Sequence, residues 1–137
     1  MSLVLDSSAT LAWIFGDETT EAIRNVFDQV IERGAVVPAL WRLEVANSLT
    51  TAARRGRIDL AFRDSALADL GELAVVVDAS TDENAWGATL SVADRCRLTV
   101  YDAAYVELAQ RRGLPLATLD GAMATACDEL GLRHLGT

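Results

Sequence analysis

Short apolar runs alternate along this chain with longer segments of helical period. Residues 2–5 (SLVL), 35–37 (AVV), 73–77 (LAVVV) and 116–119 (LATL) are continuous apolar stretches bounded by turn or capping residues, and each reads as a buried strand. Between them, Asp6-Ser7-Ser8 supplies N-cap chemistry for a helix over 8–15. A helix over 19–33 places Ile23, Val26, Phe27, Val30 and Ile31 on one face and ends at Gly34. Pro38 closes the second strand, and the segment 40–55 spaces Leu40, Leu43, Ala46 and Leu49 for the core face of a helix. A helix over 59–70 stops at Gly71, and Thr81-Asp82-Glu83 starts another that runs toward Arg95. Residues 98–101 (LTVY) read as a further strand, or as an extended run leading into a helix over 102–112 that Gly113 and Pro115 end. A helix over 121–130 and a short strand near 133–135 complete the pattern.

Strands that are apolar throughout and alternate with helices are the signature of a parallel sheet covered on both faces. The predicted fold class is therefore α/β, a three-layer α/β/α sandwich with a central parallel sheet, formed as one domain over residues 1–137. The pattern does not fix the strand order.

Four acids stand at the ends of apolar runs: Asp6, Glu44, Asp102 and Asp120. Ionised groups are costly to bury unless paired or bound to a metal. In an open parallel sheet, ligands bind beyond the carboxyl ends of the strands. Asp6, Asp102 and Asp120 follow such runs, and Glu44 lies in the first turns of the helix after the second strand, so all four are expected near one edge. Taken singly, the three aspartates also stand where helix N-caps stand. Taken together they form a carboxylate cluster, which repels itself and is most simply stabilised by Mg²⁺ or Mn²⁺.

Composition narrows the chemistry. The net charge is −8, which argues against coating nucleic acid by bulk electrostatics but leaves room for a local, metal-centred contact. All twelve basic residues are arginine, so the lysine that a phospho-accepting receiver domain needs is missing. Ser7-Ser8 after Asp6 excludes the DxD start of haloacid-dehalogenase-type phosphatases, and SSAT is no glycine-rich dinucleotide turn. His134, three residues from the C-terminus, is the one histidine, too few for imidazole-pair ribonuclease chemistry, and reads as an edge or surface residue. No GxSxG elbow is present. Cys96 and Cys127 read as buried thiols without CxxC spacing, no run is long enough to span a membrane, and the N-terminus lacks a basic, cleavable signal pattern, so a cytosolic, cytoplasmic protein is expected. Metal-dependent phosphodiester cleavage survives this filter.

The segments VLDSSATLAW, PALWRLEVANSL, LTVYDAAYVELA and LPLATLDGAM resemble the four motifs of PIN domains, most of all those of VapC-type ribonuclease toxins, over Leu3 to about Ala126. The resemblance implies that Asp6, Glu44, Asp102 and Asp120 bind Mg²⁺ or Mn²⁺ and that the activity is RNA hydrolysis by a metal-activated water. It also implies a homodimer and a cognate VapB-like antitoxin. Ser7 or Ser8, Asn47 and Thr118 match polar positions that would orient ligands or phosphate. Gly121 departs from the pattern, since many relatives carry a basic residue directly after the fourth acid. The expected RNA track is Arg54, Arg55 and Arg57, with Arg42, Arg95 or Arg97 as further contacts. Arginines there also complement the C-terminal dipole of helix 40–55. Trp13, Trp41 and Trp86 are expected to pack in the core rather than to face a partner. The rival reading is a PIN-like protein-interaction module with weak or no cleavage.

Overall fold

The structure, a computed structural model, describes residues 2–137. Five parallel strands, β1 (Leu3–Leu5), β2 (Ala35–Val37), β3 (Val75–Val77), β4 (Leu116–Ala117) and β5 (His134–Leu135), form one sheet in the order β3-β2-β1-β4-β5. Val4 pairs with Val36 on one side and Leu116 on the other, so β1 is the middle strand. Every residue of β1, β2 and β4 is buried, as apolar central strands of a two-sided parallel sheet must be. The chain leaves β1 toward β2 on one side and reaches β4 on the other. This reversal makes the crevice beyond the ends of β1 and β4 the topological switch point of the sheet.

Among the described residues eight α-helices flank the strands: α1 (Ser7–Ile14), α2 (Glu21–Arg33), α3 (Trp41–Arg54), α4 (Leu60–Gly71), α5 (Thr81–Asn84), α6 (Ala88–Cys96), α7 (Val100–Arg112) and α8 (Gly121–Leu130). Side chains of Asp6, Thr20, Asp59, Thr99 and Asp120 cap five of them by accepting a backbone N–H three residues on. Ile23, Val26, Phe27 and Val30 of α2 pack against the sheet, and the Phe27 ring stacks on Trp13 at 4.2 Å. No helix among the described residues is long and apolar enough to cross a membrane.

Several expectations are corrected. LTVY is not a strand. Thr99 caps α7 by accepting the Asp102 N–H at 3.1 Å, so the helix begins at Val100, and Val100 and Tyr101 are solvent-facing. The segment from Thr81 to Arg95 is broken into α5 and α6 at Gly87, whose φ of −122° and ψ of −102° lie outside the helical region. The core face of α3 is Trp41, Val45 and Leu49, whereas Leu43 is 75% exposed. Ile31 lies outside the α2 core face and is exposed. Trp41 is buried and Trp13 partly so, but Trp86 is 91% exposed. Cys127 is buried, and burial pushes its thiol up to about 11, while Cys96 is only partly covered. Strand β3 is an edge, with Val76 and Val77 facing solvent beside the buried strands β2, β1 and β4. His134 is an edge residue as expected, paired with Asp128 at 3.2 Å. The rotated face of α3 gives a direct test: Leu43→Ala should change stability by no more than about 0.5 kcal/mol in urea denaturation. A larger loss would restore the Leu43 face to the core.

Two contacts hold the frame. Gly34 links α2 to β2 at φ 76° and ψ 177°, and a Cβ there would stand 2.6 Å from the Ala74 carbonyl oxygen. Arg111 of α7 makes a two-pronged ion pair with buried Asp78 beyond β3, at 3.1 and 2.7 Å, and a second pair with Glu107 at 2.8 Å. Asp78 follows a strand just as Asp6 does, but its charge is neutralised within the fold, and Arg111 holds its carboxyl below the usual range.

Candidate functional site

Asp6 is the best fixed of the acids. Its Oδ1 accepts the Ala9 N–H at 2.8 Å, and the Ser8 hydroxyl donates to both carboxylate oxygens at 2.7 and 2.9 Å. The Thr118 hydroxyl donates to Oδ2 at 2.5 Å and accepts the Asp120 N–H at 3.0 Å. Thr118 thus ties the end of β1 to the turn after β4. Asp6 is 2% exposed, and burial pushes its carboxyl up to about 6. The three donors hold it down against that, and the charge of Asp120 adds to the rise.

Asp120 caps α8, with Oδ1 accepting the Met123 N–H at 2.9 Å. Asp102 lies in the first turn of α7, where burial and the Asp120 charge both raise its carboxyl. Glu44 lies in the first turn of α3. Burial raises it most and the Asp102 charge adds to this, against a Tyr105 hydroxyl that donates to Oε1 at 2.5 Å. The four acids are therefore coupled in series, Asp6 to Asp120 to Asp102 to Glu44. Each sits at or within the first turn of a helix N-terminus, where the partial positive charge of the backbone favours anions.

None of the ion pairs among the described residues involves these four carboxylates. Hard oxygen donors that repel one another without a counter-cation are the ligand set that Mg²⁺ or Mn²⁺ prefers. By donor chemistry the residues fit such an ion. As the side chains stand, no three of the His, Cys, Asp or Glu groups among the described residues close around one point. Binding would need side-chain rotation, for which Asp102 and Glu44, only partly buried, have room.

The remaining candidates divide. Thr118 and Ser8 touch Asp6, and Ser8 also accepts the Leu119 N–H at 2.9 Å. Ser7 instead adjoins the Tyr105 hydroxyl. Asn47 is exposed, makes no bond to the acids, and lines a groove of ≈460 Å³ with Ser48, Thr51, Arg55 and Arg57. Glu44, Asn47, Ser48, Thr51 and Arg55 share one face of α3, so this groove continues the polar stripe that begins at Glu44. Arg57 is committed elsewhere: it pairs with Asp17 and Glu18 at 3.2 and 3.0 Å, over the Phe15 ring at 3.9 Å. Arg54, Arg42, Arg95 and Arg97 are exposed, and Arg42 borders a different groove beside Trp41 and β3.

Two supports were not foreseen. Tyr105 is buried against Glu44, and burial together with that carboxylate raises its hydroxyl well above the usual range. Its spacing of three from Asp102 is the readable signal, because i and i+3 share a helix face. Trp41 Nε1 donates to the Thr10 hydroxyl at 3.1 Å, which donates to the Asp6 carbonyl at 2.7 Å, locking α3 against the start of α1.

A parallel α/β/α sandwich with acids gathered at its switch point is the arrangement of the PIN domain family, and residues 3–129 match that family's sequence model. The chain belongs to the PIN domain family. Within it, the chain is 33% identical over 124 residues to Ribonuclease VapC3 of Pyrobaculum aerophilum, covering 90% of this chain and 93% of that protein. It is 32% identical over 126 residues to Ribonuclease VapC3 of Mycobacterium tuberculosis, covering 90% and 86%. A crystal structure of a Pyrobaculum aerophilum protein superposes with a TM-score of 0.71 at 28% identity, over 98% of this chain and 90% of that one. The VapC20 sarcin–ricin loop cleaving toxin of Mycobacterium tuberculosis shares the fold, with a TM-score of 0.64 at 18% identity over 91% and 95% of the two chains.

Proposed function

We propose that this chain is a metal-dependent endoribonuclease, the toxin of a VapBC-type toxin–antitoxin pair. In this reading it acts in the cytoplasm as a homodimer and is held inactive by a VapB-like antitoxin. The observation that carries the reading is the set of four uncompensated acids at the switch point of a chain whose relatives are named ribonucleases. Asp6, Asp102 and Asp120 would hold Mg²⁺ or Mn²⁺, with Glu44 as a fourth ligand or as the group that orients the attacking water. When bound, the ion supplies a water acidified toward neutral pH and charge stabilisation for the phosphate. Asp6 keeps its geometry through Ser8, Ala9 and Thr118, as an outer ring of donors fixes a ligand. Glu44 has Oε1 engaged by Tyr105, which leaves Oε2 to accept a proton from the water, and burial raises its proton affinity. Asn47, Ser48, Thr51 and Arg55 offer the RNA backbone a polar path away from the acids. Arg54 is a peripheral contact, and Arg57 serves RNA only if it leaves Asp17 and Glu18.

The purified chain should cleave single-stranded RNA with Mn²⁺ and lose that activity in EDTA. Cleavage that survives EDTA defeats this reading, and metal binding without any RNA cleavage would favour the interaction-module alternative. Proton competition offers a second check. The Asp6 carboxyl takes up its proton near pH 6, so Mn²⁺ affinity measured by calorimetry should be level above about pH 7. Below 6 it should weaken, by up to roughly tenfold per unit for one displaced proton. An affinity indifferent to pH between 5 and 7 would remove Asp6 from the ligand set.

A further inference from the structure

The groove of ≈460 Å³ along α3 also takes in Leu11 of α1, Glu18 of the 3-10 turn Gly16–Glu18, and Arg57 beyond the end of α3. Two arginines, Arg55 and Arg57, stand against one acid, Glu18, in its lining, so the groove is cationic on a chain whose net charge is −8. The two arginines are in different states. Arg55 takes part in none of the ion pairs among the described residues. Arg57 is paired, but loosely. A single nitrogen, Nη2, makes all three contacts, to the Asp17 oxygens at 3.2 and 3.3 Å and to Glu18 at 3.0 Å. The side chains of Arg57, Asp17 and Glu18 are 45%, 78% and 48% exposed, and surface pairs of this kind shift an equilibrium by no more than about fivefold. Arg111 is the opposite case, gripping buried Asp78 with two nitrogens. The Phe15 ring, 3.9 Å from the Arg57 guanidinium, holds that group at the groove whichever anion it meets.

With that ring covered, the groove offers an incoming chain donors rather than an apolar seat: the Arg55 guanidinium, the Ser48 and Thr51 hydroxyls and the Asn47 amide. These are the groups that phosphodiester oxygens accept from, whatever the base. Glu44 opens the same face of α3, so a strand lying in the groove runs toward the acids. Arg55 stands eleven residues after Glu44, roughly 16 Å along the helix axis. A strand advancing about 3.4 Å per phosphate covers that distance in about five nucleotides, and a more extended strand in fewer. Resting on the ribonuclease reading above, we infer that the groove is a remote phosphate subsite for the RNA strand, at which Arg55 binds the backbone directly and Arg57 is withheld by Asp17 and Glu18. The two acids act as an internal stand-in for phosphate. RNA gains the second arginine only by displacing them, and a phosphate can then engage the nitrogens of Arg57 that the acids leave free.

The test measures cleavage of fluorescent single-stranded RNAs by the full chain with Mn²⁺ over a range of salt. Parent kcat/KM should be higher on an RNA of about twelve nucleotides than on one of about three, which is too short to reach from the acids to Arg55. Arg55→Ala should raise KM for the long RNA about fivefold with little change in kcat, and should flatten the salt slope of KM by about 0.7. Neutralising the acid pair, Asp17→Asn with Glu18→Gln, should instead lower KM about threefold and steepen the slope. Glu32→Gln, which removes an exposed acid of α2, should move KM far less. In an Arg57→Ala background most of the gain from the neutralised pair should vanish, which separates a released arginine from lessened repulsion. All of these side chains are exposed, so melting curves should stay with the parent's. A KM and salt slope unmoved by Arg55→Ala overturn the inference and leave the groove to a protein partner. A gain of equal size with and without Arg57 also overturns it. So does a parent that cleaves the short RNA as efficiently as the long one. A parent that cleaves neither RNA defeats the ribonuclease reading itself, a result distinct from all of these.

Discussion

Asp6→Asn is expected to lower RNA cleavage by about three orders of magnitude and, in the same molecule, to stabilise the metal-free fold at pH 8. The activity loss follows from removing a metal ligand, since metal-centred charge stabilisation contributes several kcal/mol to phosphoryl chemistry. The gain in stability follows from the environment of the carboxyl. Its affinity for a proton is raised in the folded chain, from 3.8 to about 6, so between those values the folded state binds more protons than the unfolded one. Stability therefore falls as pH rises through that window, and the loss is complete above it, at as much as about 3 kcal/mol. Asparagine never ionises, and its oxygen still accepts from Ala9 and Ser8. Urea denaturation in EDTA should show the variant ahead of the parent at pH 8 and level with it near pH 4. A variant that is less stable than the parent at pH 8 would mean that the carboxylate is not destabilising where it stands. In the expected outcome, activity and stability are opposed at one residue, as is common where a site stores unpaired charge.

Gly34→Ala is expected to cost about 4 kcal/mol and to lower Tm by more than 10 °C. Positive φ combined with ψ near 180° is a region that only glycine occupies without strain, at about 1–3 kcal/mol for other residues. An added Cβ would also press against the Ala74 carbonyl oxygen at 2.6 Å, and that oxygen already accepts the Ala35 N–H at 3.0 Å. Relief would have to move the entry of β2 away from β3. Gly71, at the end of α4 with open space around it, is the matched control. Gly71→Ala should leave stability unchanged or raise it by up to about 1 kcal/mol, because alanine favours the helix. Equal losses at both positions would show that the crowding at Gly34 carries no energetic weight.

How far the site could be read from sequence depended on what stood beside each acid. Asp6 and Asp120 follow truly buried strands, so the rule about strand ends located them directly. Asp102 was placed by the wrong reason. Val100 and Tyr101 favour strands, but Thr99 three residues before Asp102 is a helix-start pattern, and capping prevailed over β-propensity. The apolar pair, expected in a strand or in an extended run before the helix, instead forms the solvent-facing first turn of α7. In α3, the stripe Leu40, Leu43, Ala46, Leu49 and the stripe Trp41, Val45, Leu49 both have helical spacing, and only the position of the sheet chooses between them. The break falls at Gly87, a residue that a helix can tolerate at a cost, so the helical spacing on either side did not mark it. Distances among side chains from different elements, such as Tyr105 with Glu44 or Thr118 with Asp6, have no local trace in the chain at all.

Strand order has a consequence for synthesis. The middle strand, β1, is made first, but one of its two neighbours is β4, whose partners for Val4 and Leu5 are Leu116 and Ala117. Chains emerge N-terminus first, and contacts of such long sequence separation form last. Thr118 reaches Asp6, and Asp120 follows through Thr118, only once synthesis has passed residue 120. A prematurely terminated product ending before β4 would carry Asp6, Glu44 and Asp102 without Asp120 to complete the set.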